Sequence, residues 1–242
     1  MTEWFESLKA QFILNFIDKN RWRYLWNGLG VTLQITLFAG LIGIALGTLI
    51  AIIRSTSDKT LPTMHRGPAR FLLKLVDDIC RVYLTVIRGT PAVIQLMIAY
   101  YIIFASSRNG VLIAIISFGL NSGAYVAEIV RAGIMSVDSG QSEAGRSLGF
   151  SFVQTMWLIV IPQALKNVLP SLANEFIVLL KETSVAGYVA VKDLTKGGDI
   201  IRGVTYSPFM PLVAVALVYL ILVIFFSWLV GKLERRLRNS DH

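Results

Sequence analysis

Apolar residues come in runs along this chain, and the runs are too long for the core of a soluble domain. Residues 31–53 are interrupted only by Thr, Gln and Gly, and residues 209–230 are as apolar. A bilayer-crossing helix needs about 20 mostly apolar residues, so both runs read as spans. Three further runs complete a five-span reading: 27–53, 71–104, 111–134, 156–191 and 208–230. The second span is amphipathic at its start, where Lys74, Asp77, Asp78 and Arg81 fall, and then passes through Arg88-Gly89-Thr90-Pro91. A proline inside a helix removes a hydrogen bond and clashes with the preceding turn, so Pro91 is expected to kink the span or break it in two. The fourth span carries Pro162 and Pro170 and is expected to be irregular. Polar connections separate the spans: a loop at 54–70 with Pro62, Gly67 and Pro68 as breakers, a short turn at 106–110, a less hydrophobic stretch at 136–154, and a charged loop at 192–207.

The N-terminal segment has a different pattern. Phe5, Leu8, Phe12 and Phe16 recur at helical spacing, so residues 3–19 read as an amphipathic helix on the membrane surface. Trp22, Tyr24 and Trp26 then mark the interface where the first span enters. Glu3 and Glu6 replace the positive start of a cleavable signal. The division that follows is 1–23 as a surface helix, 24–232 as a transmembrane domain and 233–242 as a basic cytoplasmic tail.

Composition agrees with a membrane protein. The chain is 55% hydrophobic and only 16% charged, against roughly 25% charged in a soluble domain. The formal charge of +8 sits beside the apolar spans, so anionic lipid headgroups are its expected partner and nucleic acid is not. Five spans with the N-terminus outside put Arg54, Lys59, Arg66, Arg70, Arg131, Arg146 and the basic tail on the cytoplasmic side, as the positive-inside rule favours by a small margin. Cys80 is the only cysteine, which excludes an internal disulfide and reads as a small buried hydrophobe. His65 and His242 fall in a loop and at the terminus. No Ser–His pair, metal-ligand cluster or Gly-x-x-x-x-Gly-Lys-Ser/Thr phosphate loop is visible, so the chain is not read as an enzyme and no cofactor is expected in it.

The most informative segment is 138–162. Asp138 can cap a short helix, with Gln141 three residues on as in a capping box. Gly149 can end that helix in a left-handed conformation. Ser151 with Gln154 forms a second capping-box pattern. The product is a compact helix–turn–helix outside the bilayer. It suits transmission of force from a soluble partner, and it equally suits an ordinary well-capped loop between spans.

Glu143-Ala144-Gly145, then Gly149, then Ile161-Pro162, resembles the EAA motif of ABC importer permeases. Gly145 stands where that pattern has a second Ala, which lowers helix propensity by roughly 1 kcal/mol and implies a softer helix. Asn27-Gly28 with Thr32-Leu33, Val86-Ile87-Arg88-Gly89-Thr90-Pro91 with Gln95-Leu96, the stretch from Ser122-Gly123-Ala124-Tyr125 to Ala132-Gly133-Ile134, Pro162-Gln163-Ala164 and Lys181-Glu182-Thr183-Ser184 resemble the polar amino-acid branch of the same family. The resemblance covers roughly residues 25–238.

This resemblance implies an all-α integral membrane protein with five transmembrane helices and a cytoplasmic coupling helix, like a type I ABC importer, in the bacterial cytoplasmic membrane. It implies a second permease subunit, a pair of ATP-binding subunits that hold ATP and Mg, and an extracytoplasmic amino-acid-binding protein. Glu143, Ala144, Gly145, Leu148 and Gly149 become the expected ATPase-coupling residues. Arg88, Gly89 and Pro91 are candidates for a gating hinge or for a structural kink with Arg88 reaching headgroups. Other membrane classes make different demands: a channel or proton-coupled carrier has no need of a docking helix, and an intramembrane enzyme needs catalytic groups that are not seen.

Ionisable groups inside a span are costly, about 2.5–3.5 kcal/mol on insertion scales, and usually face a partner or a wet cavity. Glu175 and Glu182, with Asn174 beside the first, lie in the fourth span. Seven residues apart, they share nearly one helix face about 10 Å apart along the axis, a separation that suits the two positive groups of a cationic amino acid. In the alternative reading Glu182 pairs with Lys181 or Arg88 and Glu175 bonds between helices. Pro170 is expected to bend the helix and free backbone carbonyls.

Overall fold

The computed structural model describes residues 2–238. The last four residues of the predicted basic tail, His242 among them, and the first residue of the surface helix lie outside the described part. The described residues are mostly helical, joined by short turns, with no strand among them. The elements are α1 (Thr2–Phe12), α2 (Trp22–Thr60), α3 (Pro68–Gly89), α4 (Ala92–Ile98), α5 (Gly110–Met135), α6 (Ser139–Ser147), α7 (Phe152–Thr155), α8 (Ile161–Glu182), α9 (Leu194–Thr205) and α10 (Phe209–Arg238). Four helical stretches are long and apolar enough to cross a membrane, and the count is five if the pair broken between Gly89 and Ala92 forms one span. Their outer faces suit lipid. Leu217, Leu220, Ile221, Ile224, Phe225 and Trp228 of α10 are all exposed, an arrangement that water would penalise.

Two predicted connections are corrected. The first helix runs on to Thr60, although its apolar run stops at Ile53. Nothing between Arg54 and Lys59 breaks a helix, and 39 residues span about 58 Å, nearly twice a hydrocarbon core of about 30 Å. The charged loop at 192–207 is mostly the helix α9. Asp193 caps it, its carboxylate accepting from the backbone N–H groups of Lys196 at 2.9 Å and Thr195 at 3.2 Å. Pro170 lies within α8, which continues through it to Glu182.

The chain folds into two compact units. One gathers the chain up to Ala39 with Ala92–Phe118 and Ile177–Ser227. Its core is Ile35, Leu96, Ala114, Phe118, Leu179 and Val189. The N-terminal helix is tied into this unit by a buried asparagine: the Thr205 hydroxyl donates to Asn15 Oδ1 at 2.8 Å, and Asn15 Nδ2 donates to Ser207 Oγ at 3.2 Å. Trp4, Phe5 and Phe12 stay exposed. On α9, Asp199 accepts from Lys196 Nζ at 2.9 Å and from Arg202 Nε at 3.0 Å. These two donors hold the Asp199 carboxyl below its ordinary pKa. Burial pushes the Asp193 carboxyl up, against the pull of its backbone hydrogen bonds.

The other unit gathers Gly40–Pro91, Gly119–Phe176 and the chain from Trp228. Ile50, Leu84, Ala124 and Ala127 form its core, with Cys80 buried among them as the sequence suggested. Asp77 is buried and held by two arginines, Arg81 Nε at 2.8 Å and Arg54 Nε at 3.6 Å. Arg131, near the end of α5, pairs with Asp58, near the end of α2, at 2.9 Å. This unit also carries α6 and α7.

Candidate functional site

The segment at 138–162 forms a short hairpin whose ends are closed by local chemistry. Asp138 has extended backbone and accepts from Gly140 N at 2.6 Å, so α6 begins at Ser139. The predicted capping box is not completed here. The Gln141 side chain accepts instead from Gln163 Nε2 at 3.2 Å, because α8 brings a competing amide within reach. At the other end Gly149 takes φ +83, a conformation costly for any residue with a Cβ. Phe150 N reaches back to Gly145 O at 3.1 Å and Gly149 N to Arg146 O at 2.9 Å, the paired bonds of a Schellman cap. Ser151 then starts α7 with a full capping box: its hydroxyl accepts from Gln154 N at 3.3 Å while Gln154 Oε1 accepts from Ser151 N at 2.8 Å.

Gly145 has a role that helix propensity did not reveal. It is buried, and a Cβ there would stand 2.9 Å from Thr155 Cγ2 and 2.9 Å from Ile159 Cδ1. The glycine lets α6 lie directly on α7 and the turn that follows, so close packing is its reason here. Glu143, Ala144 and Leu148 point outward from this platform, with Leu148 75% exposed. The hairpin is therefore a rigid knob with a free outer face.

Arg88, Gly89 and Pro91 lie at the end of α3. Thr90 is extended (φ −124, ψ 145) and ends the helix, as the Pro91 clash requires. Arg88 has its carboxylate partner within its own compact unit. It lies 3.4 Å from Glu128 of α5 and over the ring of Tyr125. Glu128 sits in an apolar helix, and that misplaced charge was the signal that could have marked it.

Glu175 is half-buried near the middle of α8 and accepts from Ser122 Oγ at 3.1 Å. Asn174 beside it is exposed. Glu182 is the last residue of α8 and is half-buried. The two carboxylates fall in different compact units, so each is considered with its own neighbours.

Apolar-faced helices long enough to cross a bilayer, with an outward-facing capped hairpin between two of them, define a helical integral membrane protein. The chain belongs to the family described as binding-protein-dependent transport system inner membrane component, which matches residues 66–239. The arginine transport system permease protein of Bacillus subtilis is 31% identical over 90% of this chain and 94% of its own length. The glutamine transport system permease protein of Escherichia coli K12 is 32% identical over 90% of this chain and 97% of its own. A crystal structure of an amino acid ABC transporter with histidines superimposes with a TM-score of 0.80 at 38% identity, covering 91% of this chain and 98% of that chain. The protein is thus an ABC transporter permease with the type I importer fold.

Proposed function

We propose that this permease imports a polar, cationic amino acid across the bacterial cytoplasmic membrane, driven by ATP hydrolysis in a separate pair of subunits. The hairpin at 138–162 is the handle those subunits move. What supports this is its construction: caps at both ends, a glycine-tight interface inside, and Glu143, Ala144 and Leu148 free on the outer face. A stiff element transmits displacement, where a loose loop would absorb it. The N-terminus is outside and the hairpin and C-terminal tail are cytoplasmic. A second permease subunit completes the path, and an extracytoplasmic binding protein delivers the substrate. ATP and Mg belong to the ATPase subunits.

Leu148→Cys tests the handle. Cys80 is buried, so a thiol crosslinker reads position 148 without a competing native thiol. The expected result is crosslinking of position 148 to the ATPase subunit in assembled complex, altered by ATP. Labelling of the introduced thiol at the same rate with and without the ATPase subunits would contradict it.

The cationic substrate rests on the named arginine relative and on carboxylates in the fourth span. Glu175, with Asn174 next to it, is the first contact we assign, and Glu182 is a separate one. Ser122 orients the Glu175 carboxylate. The break at Arg88-Gly89-Thr90-Pro91 is the proposed gating hinge, with Glu128 holding Arg88 in one of its positions. Glu175→Gln should weaken arginine uptake while basal ATPase activity holds. Unchanged uptake kinetics at matched expression would remove it from the recognition site.

A further inference from the structure

The surface of α3 is divided lengthwise into three sectors. The first is packed: Asp77, Cys80 and Leu84 are buried, and Val76, Cys80, Tyr83, Leu84 and Ile87 share a cluster with Leu46, Ile50 and Ile53 of α2. The second is apolar and exposed: Phe71, Leu75, Ile79, Val82 and Val86. The third is polar and also exposed: Lys74, Asp78, Arg81, Thr85 and Arg88. Each set recurs at steps of three and four residues, so each runs along one side of the helix. The polar sector is about 21 Å long.

Packing fixes the depth of these sectors. Ile50 and Ile53 close the apolar run of α2, and Arg54, the first charge after that run, lies 3.6 Å from Asp77. From Asp77 onward α3 therefore lies beside the apolar run, at the level of the hydrocarbon. Ile79, Val82 and Val86 suit lipid at that level. Arg81 and Arg88 do not, and their side chains are 53% and 44% exposed. Arg81 gives Nε to Asp77 at 2.8 Å, and one terminal nitrogen of Arg88 lies 3.4 Å from Glu128. A guanidinium carries five N–H donors, and neither makes a further hydrogen bond among the described residues. Ionised groups at such a depth face a water-filled cavity or the interior of a bundle.

The chemistry of the polar sector selects water. Each arginine already has a carboxylate, Asp77 or Glu128, so the sector lacks hydration and not counter-charge. A second copy of the same face would set arginine against arginine, which repel. We infer that the Arg81–Thr85–Arg88 face of α3 is a water-lined wall of the path by which the amino acid crosses, and that the Ile79–Val82–Val86 face beside it meets lipid. The carboxylate of an amino acid finds charge-assisted donors along such a wall. This wall follows from the chain being a permease. It depends neither on which amino acid is carried nor on the hairpin as the handle.

Nitroxide labels on the two faces separate water from lipid. Thr85→Cys and Val82→Cys are each made in a Cys80→Ala parent, labelled, and placed in proteoliposomes as the assembled transporter. Collisions with dissolved oxygen, which enters hydrocarbon, are compared with collisions with a water-soluble nickel chelate. The oxygen-to-nickel ratio should be about tenfold higher at 82 than at 85, because the hydrocarbon holds no water to carry the chelate. The label at 85 should also stop uptake of radiolabelled arginine, and the label at 82 should spare it. A similar ratio at both positions would overturn the wall. So would weak collision with both reagents at 85, which assigns that face to contact with another subunit, and so would arginine uptake undiminished by the label at 85. If the unlabelled parent carries no arginine, the cationic substrate is wrong and the collision ratio still decides the wall.

Discussion

Gly145 on α6 meets Thr155 on α7 with no room between them, since a Cβ at 145 would stand 2.9 Å from Thr155 Cγ2. Alanine is met by two side-chain ends that can give way. A β-branched residue has no such exit. Gly145→Val should therefore loosen the hairpin by about 1–3 kcal/mol, the usual cost of overpacking. Limited trypsin digestion at Arg146 checks it: cleavage in the assembled complex should be faster in the variant. An unchanged rate would show that the two short helices are not held together at this contact.

Asp77 carries a prediction about stability. It is 1% exposed and sits between Arg81, half-exposed, and Arg54, whose side chain is 13% exposed. Removing the carboxylate leaves Arg54 buried without its counter-charge. Asp77→Ala should cost about 3–5 kcal/mol, whereas Arg81→Gln, at the solvent-facing partner, should cost about 0–1 kcal/mol. Thermal unfolding of the purified protein in detergent ranks them. Equal losses would mean that the Asp77–Arg54 contact carries no special weight.

The helix α9 should respond to pH in two opposite ways. Asp199 has a lowered pKa because Lys196 and Arg202 donate to it. Its contribution is complete above the ordinary carboxylate value of about 3.9 and is lost as pH falls below that, through the folded pKa. Asp193 has a raised pKa from burial, so folding is favoured by its proton, and stability declines as pH rises from the ordinary value through the raised one. Hydrogen exchange across Leu194–Thr205 at several pH values reads both. Asp199→Asn should abolish the loss at the acid end and leave the other limb. An unaltered acid limb would contradict the assignment.

Features set by neighbours along the chain are legible in the sequence, and features set by distant residues are not. The left-handed turn at Gly149 and the Ser151–Gln154 box are local, so residue identity suffices. The break at Pro91 is local too. The Arg88–Glu128 pair joins residues forty positions apart, and the sequence offers Arg88 several carboxylates with no means to choose. Gly145 looks like a weak helix former because its reason, contact with Thr155 and Ile159, lies across a turn. Hydropathy ends the first span at Ile53, since a polar helix beyond the bilayer gives no apolar signal. The helix α9 does leave one: Asp193 precedes Leu194, and Ile201 falls seven residues on, both buried. Gly197 and Gly198 between them obscure it.

The hairpin is assigned the work of transmitting ATP hydrolysis to the spans, and Gly149 tests that assignment most directly. Its φ of +83 is left-handed and, beyond its two chain neighbours, no atom lies within 4 Å of where a Cβ would stand, so Gly149→Val strains the turn through backbone conformation and alters no span. The measurement is substrate-stimulated ATPase activity of the complete transporter in proteoliposomes, with binding protein present and assembly verified. The predicted result is normal insertion and assembly with a sharp fall in stimulated ATPase activity. Full stimulation in the assembled Gly149→Val transporter would contradict it.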